Sequence, residues 1–336
     1  MNVLLTSAGR RGYLVKYFQE ALESKGDNGK VHVSNSTKLC SAFKYADHTL
    51  VSPKIYDEEY IDVILQYCLK NKIKLIIPLF DIDLLVLSKN KDIFKREGII
   101  VVVSNTNVIK TCNDKWLTYK FLLDNGFHTP KTYIDIAEVF INLKKEQINF
   151  PLILKPRWGM GSISVFKADT IEELVFFNEF VKKQINNSYL KYESKFTPNN
   201  VVLIQEMVIG QEYGLDIVSN LNGDYMSTFV KRKIEMRSGE TDISELIHNH
   251  YLLQEIGKKI ANKIKHVGNL DIDVLYDGSE YKILDMNARF GGGYPFTHKA
   301  GVNLPKAILD WLSGDDTEHL QINTINEINY KSIEII

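Results

Sequence analysis

The first hundred residues alternate short runs of aliphatic and β-branched residues with longer amphipathic segments. The short runs predict strands at Asn2–Thr6, Val31–Ser34, Leu75–Pro78 and Ile99–Val103. The segments between them carry apolar residues at helical spacing and predict helices at Gly12–Ser24, Glu58–Asn71 and Ile82–Glu97. This alternation is typical of βαβ units, so we expect a parallel sheet covered by helices.

The pattern is less regular in the remainder of the chain. Strands are predicted at Leu152–Lys155, Ser164–Lys167, Val201–Val208, within Ile209–Val218, at Tyr225–Ile234, at Gly268–Tyr276 and from Tyr281 onward. Helices are predicted at Asn113–Gly126, Ile134–Gln147, Ile171–Gln184, His248–Ile264 and Val302–Ser313. The polar segment Asn186–Asn200 is predicted to be a mobile excursion, and Arg237–Ser244 a polar loop. The tail after Ser313 predicts no element.

The predicted strand that begins at Tyr281 carries three polar residues on alternate positions. Because every second side chain of a strand points to the same face, Asp285, Asn287 and Arg289 share one face. Carboxylate and amide oxygens suit Mg²⁺, and a guanidinium suits a phosphate or a carboxylate. The glycines that follow would let a loop approach a ligand closely. The alternative is a strand with a solvent-facing polar side and a glycine-rich turn.

A second acidic strand, Gly268–Tyr276, precedes it. Asp271 and Asp273 alternate with apolar residues, and Asp277-Gly278-Ser279 is a hairpin signal. Folding this hairpin would bring Asp273 beside Asp285 and Asn287. Facing carboxylates repel each other unless a cation lies between them. We therefore predict a divalent metal site formed by these three residues, with solvent-facing aspartates as the alternative.

A glycine-rich segment follows the strand that ends at Lys155. Lys155 would supply positive charge, and a loop containing Gly159, Gly161 and Ser162 would supply backbone donors at short distance, which suits a triphosphate. The segment is not a Walker A loop, because the lysine precedes the glycines and no helix follows. A plain glycine turn is the alternative.

The loop between the first strand and the first helix is a second candidate for anion binding. Backbone N–H groups at a helix N-terminus favour an anion, but only Gly9 and Gly12 are present, so the dinucleotide fingerprint is incomplete. A nicotinamide-dependent oxidoreductase is therefore disfavoured. Arg10 and Arg11 are candidates for contact with an anionic substrate, and exposed basic loop residues are the alternative.

Composition excludes several classes of protein. Lys and Arg total 41 and Asp and Glu 42 of 336 residues, so no global field attracts nucleic acid or an anionic membrane. Cys40, Cys68 and Cys112 are widely spaced and match neither a disulfide framework nor a structural zinc site. The chain start lacks a basic segment, and no apolar run approaches the ~20 residues that span a bilayer. We expect a cytoplasmic protein without nucleic-acid or membrane partners.

The order of these motifs resembles the ATP-grasp ligase superfamily. The matching features are Lys115, Lys155 with its glycine loop, QEMVIGQEY at 205–213, Asp273, and DMNAR at 285–289. The nearest similarity is to stand-alone proteins that resemble one half of the carbamoyl phosphate synthase large subunit, and to the pyrrolysine-pathway amino-acid ligase. The resemblance implies an α/β front domain with a parallel sheet over residues 1–108, followed by a two-lobed α+β ATP-grasp fold over 109–312. The lobes would span about 120–205 and 206–312, and a tail would span 313–336.

The resemblance also implies ATP and one or two Mg²⁺ ions as cofactors, with Mn²⁺ left open. The ATP-binding residues that it implies are Lys115, Lys155, Gly159, Gly161, Ser162, Glu206, Val208 and Glu212. Among these, Glu206 and Val208 would contact adenine through their backbone, and Glu212 would accept from the ribose hydroxyls. Asp273, Asp285 and Asn287 would be the metal ligands. Arg289 would hold the transferring phosphate and, with Lys155, make up the catalytic pair.

Two positions depart from the family pattern, which more often has Glu at position 285 and often Pro at position 288, where this chain has Asp285 and Ala288. Asp is shorter than Glu but remains a hard anionic ligand. The metal would therefore be held by a shorter side chain.

The function that follows is an ATP- and Mg²⁺-dependent carboxylate–amine ligase, which activates a small-molecule acid as an acyl phosphate. The acid could be an amino acid, and a homodimer is left open. Phosphoryl transfer needs positioning and charge neutralisation, which lysines, an arginine and bound metal supply. The alternatives are activation of bicarbonate, as in carbamoyl phosphate synthase, and a nucleotide-binding regulatory subunit without catalysis.

Overall fold

A computed structural model of the chain describes residues 1–195, 197–315, 320–324, 327–332 and 335–336. Its first sheet is parallel and five-stranded. The strands are β1 (Asn2–Thr6), β2 (Val31–Asn35), β3 (His48–Val51), β4 (Ile73–Pro78) and β5 (Ile100–Val101). Their order in the sheet is β3-β2-β1-β4-β5. The predicted parallel sheet is confirmed, with β3 as an additional edge strand.

Helices cover both faces of this sheet. They are α1 (Gly12–Ser24), α2 (Tyr60–Lys70) and α3 (Asp81–Arg96), and a short 3₁₀ helix spans Ser41–Lys44. Alternate residues of β1 enter different cores: Val3 and Leu5 pack with α1, whereas Leu4 packs with α2 and α3. Burial on both faces explains why the strands are almost continuously apolar.

Two helices, α4 (Thr106–Asn113) and α5 (Lys115–Asp124), lead from this region into a four-stranded antiparallel sheet. The predicted single helix over Asn113–Gly126 is therefore wrong in its first residue, because α4 ends at Asn113. Asp114 caps α5 by accepting hydrogen bonds from the backbone N–H groups of Trp116 and Leu117.

The strands of this sheet are β6 (Thr132–Tyr133), β7 (Leu152–Pro156), β8 (Phe166–Ala168) and β9 (Val202–Glu206), in the order β6-β9-β7-β8. The helices associated with it are α6 (Ile136–Lys144), α7 (Ile171–Asn186) and α8 (Lys191–Ser194). The described residues just after α7 pack against the rest of the protein, which differs from the prediction of a mobile excursion over Asn186–Asn200. Leu190 is buried in the local core, and Tyr192 stacks on Tyr56 with ring centroids 4.1 Å apart.

The third sheet is antiparallel and six-stranded. Its strands are β10 (Gln211–Ser219), β11 (Tyr225–Arg237), β12 (Glu240–Ile247), β13 (Gly268–Tyr276), β14 (Tyr281–Asn287) and β15 (Ile328–Tyr330). The order is β14-β13-β10-β11-β12-β15, and α9 (Tyr251–Ile264) packs on this sheet. The helices α10 (Tyr294–Lys299) and α11 (Leu304–Ser313) follow β14. The chain thus consists of an α/β domain with a parallel sheet, followed by two lobes that are each built around an antiparallel sheet.

Two predictions about this region are wrong. Arg237–Ser244 is predicted to be a loop, but it forms the hairpin between β11 and β12. The polar pattern is misleading because Thr241 and Ser244 are buried, and the Ser244 hydroxyl donates to the Arg232 carbonyl at 2.9 Å. The tail contributes β15, which pairs with β12, whereas no element was predicted there.

The first and third sheets share one continuous core. Phe18 of α1 meets Phe290 edge to face, with ring centroids 6.3 Å apart, and Val218 and Leu304 belong to the same buried cluster. In the part of the chain that the structure describes, no helix is long and apolar enough to cross a membrane.

Candidate active site

A cavity of about 530 Å³ lies where the antiparallel sheets face each other, beside the loop that follows β1. This volume is typical of small-molecule sites. All the residues predicted for the site line it: Lys115, Lys155, Gly159, Gly161, Ser162, Glu206, Val208, Glu212, Asp273, Asp285, Asn287 and Arg289. Their grouping in one cavity is a finding, whereas their individual roles remain predictions.

The acidic hairpin forms as the sequence predicts. Asp273 is paired with Asp285, and Asp271 with Asn287, across β13 and β14. Lys115 also reaches this hairpin, with its Nζ 2.9 Å from Asp285 Oδ2. Four oxygen-bearing side chains and one ammonium group therefore line this part of the cavity.

Lys233 neutralises a second pair of carboxylates. Its Nζ donates to Glu212 Oε1 and to Asp273 Oδ1, both at 2.5 Å. Although burial opposes the charge, Asp273 and Glu212 raise the pKa of Lys233 above its usual range. The lysine therefore stays charged and holds Glu212 beside the metal-ligand candidate Asp273.

The predicted metal ligands suit a Mg²⁺ ion that is bound partly by the protein and partly by substrate phosphates and water. Among the described residues, no three His, Cys, Asp or Glu side chains form a cluster that could enclose a metal ion. Asp273, Asp285 and Asn287 instead lie on an open cavity wall. Mg²⁺ is commonly bound by one or two carboxylates together with substrate phosphates and water, and the wall offers donors of that type.

Lys155 stands on β7 and faces the same space. Its Nζ donates to Gln205 Oε1 at 2.9 Å. Burial lowers the pKa of Lys155 to about 8, with Asp285 opposing that shift and Lys115 adding to it. A second anionic partner, such as a phosphate, would restore the full charge of this lysine.

A buried ion pair positions Lys115 relative to the glycine loop. Arg157 donates from Nε and Nη2 to the two oxygens of Asp114, each at 2.7 Å. The Lys115 backbone N–H donates to the Arg157 carbonyl at 3.0 Å, and the Lys115 Nζ to the Gly159 carbonyl at 2.8 Å. The start of α5 and the start of the loop are therefore joined by hydrogen bonds.

The glycine loop touches the hairpin between β11 and β12. At Gly239, where φ is +77°, an added Cβ would lie 2.6 Å from the backbone of Gly161 and 3.0 Å from the Ser162 hydroxyl. Only glycine fits this contact. The hairpin thus limits how far the loop can close over the cavity.

The inner end of the cavity, around Glu206, has apolar walls. Ile153 of β7, Leu275 of β13 and Leu284 of β14 line it together with Glu206 and Val208. Flat apolar walls that are flanked by backbone groups and by the Glu212 carboxylate suit a purine and its ribose.

Arg289 is engaged by the first domain. Its Nε lies 2.7 Å from Asp81 Oδ1, its Nη1 donates to the Phe290 carbonyl at 3.1 Å, and its Nη1 is 3.8 Å from Asp271 Oδ2. Despite burial, Asp81 and Asp271 raise the pKa of Arg289 above its usual range. The predicted contact of Arg289 with a transferring phosphate would therefore use the part of the guanidinium that lines the cavity.

A second buried network lies beneath the loop that contains Gly292 and Gly293. Lys231 donates to Asp216 and, at 3.3 Å, to Thr297, and Asn269 donates to Asp216 at 3.0 Å. Burial, together with Asp273 and Asp216, raises the pKa of Asp271 above its usual range. Asp271 therefore binds a proton more readily than an exposed carboxylate does.

The two arginines of the first loop differ in position. Arg11 lines the cavity, whereas Arg10 is 88% exposed and lies 3.8 Å from Glu240. Of the two candidates for substrate contact, the structure therefore places only Arg11 at the cavity.

Sequence reasoning missed several residues of the site: Asp81, Arg157, Lys231, Lys233 and Glu240. The sequence contains a signal for Lys231 and Lys233: they flank Arg232 on a predicted strand, so their side chains share one face. Asp81 follows a parallel strand, where binding residues often occur. No sequence pattern distinguished Arg157 or Glu240.

Comparison with known proteins identifies the family. A model described as "PylC-like, N-terminal domain" matches residues 3–102, and one described as "ATP-grasp domain" matches residues 112–293, which is more than half of the chain. The chain belongs to the ATP-grasp family.

Its relatives are distant. The carbamoyl phosphate synthase large chain of Thermoanaerobacter sp. (strain X514) is 21% identical over 261 residues, which are 70% of this chain but only 21% of the relative. The coenzyme gamma-F420-2:alpha-L-glutamate ligase of Methanococcus maripaludis is 25% identical over 219 residues, 62% of this chain and 70% of the relative. The L-amino acid ligase from Bacillus licheniformis shares the fold, with a TM-score of 0.67, 18% identity, and coverage of 96% of this chain and 77% of that one.

Proposed function

We propose that this ATP-grasp protein is an ADP-forming ligase that joins the carboxylate of a small-molecule acid to an amine, with ATP and Mg²⁺ as cofactors. The observation that carries the proposal is the meeting of Lys115, Lys155 and Lys233 with Asp273 and Asp285 around one cavity. Cations beside oxygen ligands are what a nucleoside triphosphate and its metal require.

The chemistry proceeds in two balanced steps. The carboxylate oxygen takes the γ-phosphoryl group of ATP, which gives an acyl phosphate and ADP. The neutral amine then attacks the acyl carbon, phosphate leaves, and the amine loses a proton as the C–N bond forms. Because phosphate is the leaving group of the acyl phosphate, the amine does not have to expel oxide from a carboxylate.

The residues of the chain neutralise and position the reacting groups. Lys155 and Lys115 would hold the phosphates, the loop over Gly159–Ser162 would exclude water, and Arg289 would face the transferring group. When bound at Asp273, Asp285 and Asn287, Mg²⁺ would neutralise charge on the phosphates. The adenosine would lie at the inner, apolar end of the cavity beside Glu206, Val208 and Glu212.

The similarity to the large chain of carbamoyl phosphate synthase supports a second candidate, the activation of bicarbonate for attack by ammonia. A third, a nucleotide-binding subunit without catalysis, would not require the acidic hairpin and the lysines that face it. The cytoplasmic location, the absence of nucleic-acid and membrane partners, and a homodimer remain predictions.

The test is a comparison of ligands and substrates on the purified protein. Mg²⁺-ATP should raise the melting temperature, and NADH should not, because only a ligand that binds the native state stabilises it. ADP release should then be measured over a panel of carboxylates and amines, with bicarbonate and ammonia as one pair. A Lys155→Met variant should remove any true turnover. The proposal would be refuted if NADH stabilised the protein and Mg²⁺-ATP did not, or if no acid or amine changed the rate of ADP release.

A further inference from the structure

The outer end of the cavity is built by three segments that are far apart in sequence. The loop after β1 supplies Arg11 and the start of β12 supplies Glu240, and both line the cavity. Lys331, the residue after β15, lies behind them with its Nζ 3.6 Å from the Glu240 carboxylate. Its backbone N–H donates to the Asp242 carbonyl at 2.9 Å. Lys331 lies outside both matched family segments, whereas Arg11 and Glu240 lie within them.

Arg11 is the cation of this region that lacks a close carboxylate. Among the described residues, the ion pairs of the region join Arg10 to Glu240, Lys331 to Glu240 and Arg289 to Asp81, and none includes Arg11. Burial lowers the pKa of Arg11, and the neighbouring Arg289 adds to this shift. The Arg11 side chain has a hydrogen bond with Tyr13 but, among the described residues, no ion pair with a carboxylate. A partly buried guanidinium that lines a cavity in this way is suited to an incoming anion.

Glu240 is held only loosely. Its carboxylate is half exposed and lies 3.8 Å from Arg10 and 3.6 Å from Lys331, beyond normal hydrogen-bond length. Asp81, by contrast, is paired with Arg289 at 2.7 Å. Glu240 thus lines the cavity together with Arg11 but, among the described residues, forms no ion pair with it.

We propose that Arg11 binds a carboxylate of the acid substrate, and that Glu240, which lies beside Arg10 and Lys331, leaves the Arg11 guanidinium free for it. The proposal rests on the proposed ligase function and adds the site at which the acid is recognised. In the substrate complex, Glu240 stays beside Arg10 and Lys331, and its negative charge opposes the binding of the acid. Arg11 is then a binding residue.

The proposal predicts opposite effects for two substitutions. Arg11→Gln removes charge-assisted hydrogen bonds and should weaken binding of the acid by roughly tenfold or more. Glu240→Gln removes a competing negative charge and should strengthen it by roughly threefold. If Glu240 instead binds the amine of a substrate, Glu240→Gln would weaken binding, so the sign separates the two roles.

The experiment is calorimetric titration of the full chain, with and without a non-hydrolysable ATP analogue and Mg²⁺. The probes are sodium salts of monocarboxylic, dicarboxylic and amino acids, their decarboxylated amines, and inorganic phosphate. The best-binding acid is then titrated into Arg11→Gln, Glu240→Gln and the matched control Arg96→Gln, whose side chain is exposed at the end of α3 and does not line the cavity. Circular dichroism and affinity for the ATP analogue show that each variant is folded.

Weaker binding in Arg11→Gln, near-normal binding in Arg96→Gln and tighter binding in Glu240→Gln are the expected results. Binding of phosphate or amines but of no carboxylic acid would overturn the proposal, as would the absence of any binding or unchanged affinity in Arg11→Gln. If the unmodified protein does not bind the ATP analogue, the ligase function itself is refuted, which is a separate outcome. Normal binding of the analogue combined with a failed acid titration refutes only the subsite.

Discussion

Arg289 and Asp81 are 208 positions apart, and the Arg289 Nε donates to Asp81 Oδ1 at 2.7 Å. The bond joins the segment after β14 to the first residue of α3, and so links the six-stranded sheet to the parallel sheet at the edge of the cavity. Both side chains are largely buried. Because the pair spans the two sheets, it should affect stability as well as the site.

Replacing Asp81 by Asn should therefore destabilise the protein by about 3 kcal/mol, since the buried Arg289 charge loses its strongest partner. The measurement is urea denaturation followed by circular dichroism. The control is Asp169→Asn, which breaks the exposed pair between Lys167 and Asp169 and should change stability by less than about 1 kcal/mol. Equal effects of the two substitutions would show that the Asp81 pair does not link the sheets.

The difference between these pairs shows which parts of the site a sequence reveals. The convergence of Asp273 with Asp285 could be predicted, because period-two alternation and a short turn determine the register of a hairpin. The Asp81–Arg289 pair could not, because it depends on how two separate sheets pack. The same applies to Arg157, whose partner Asp114 is 43 positions away.

The errors in the fold have a similar physical origin. The hairpin over residues 237–244 was predicted as a loop because buried Thr241 and Ser244 are polar and are satisfied by contacts that a pattern does not show. The strand β15 has only three residues and adds to an existing edge, so its sequence needs little apolar character. Strands with apolar alternation or burial on both faces were predicted correctly.

Glu193, in the short helix α8, should make stability depend on pH. Burial raises the pKa of Glu193 to about 8, with Asp81 and Asp114 adding to the shift and Lys115 opposing it. Between the ordinary value of 4.5 and about 8, the native state holds a proton that the unfolded state has lost. This carboxyl therefore makes the protein less stable as pH rises through that window.

Glu193→Gln removes this titration. Its free energy of unfolding, relative to the unmodified protein, should increase steadily from about pH 5 to about pH 8. Urea denaturation at several pH values measures the difference, and Glu179→Gln, which removes an exposed carboxylate from α7, serves as the control. A difference that is constant with pH would contradict a raised pKa at Glu193.

Gly239 should control the position of the glycine loop. In Gly239→Ala the new Cβ would collide with the Gly161 backbone, so we expect faster hydrogen exchange over residues 156–164 and weaker binding of Mg²⁺-ATP. The matched control is Gly223→Ala: φ is +84° there, but the nearest atom lies 3.5 Å from the added Cβ. The control carries a similar backbone cost without touching the loop. Identical loop exchange in the two variants would show that the hairpin does not limit loop closure.

Asp285→Asn tests the metal site and the mechanism together. The substitution keeps the shape of the side chain but removes the charge that pairs with Lys115 at 2.9 Å and that would offset Mg²⁺. The adenosine contacts predicted for Glu206, Val208 and Glu212 need no metal, so ADP binding without Mg²⁺ should be retained. ADP release should fall roughly 10²–10³-fold, because charge stabilisation of the transferring group is lost. The Mg²⁺ concentration needed for half-maximal nucleotide binding should also rise.

The control for this substitution is Glu280→Gln, which removes a carboxylate from the same hairpin at a position paired with His128. It should leave both the Mg²⁺ requirement and ADP release close to normal. If Asp285→Asn turns over a confirmed substrate at a near-normal rate, the carboxylate is not a metal ligand and the phosphoryl-transfer mechanism is wrong. If its Mg²⁺ requirement rises while ADP release stays normal, Asp285 contributes to metal affinity but not to the rate of phosphoryl transfer.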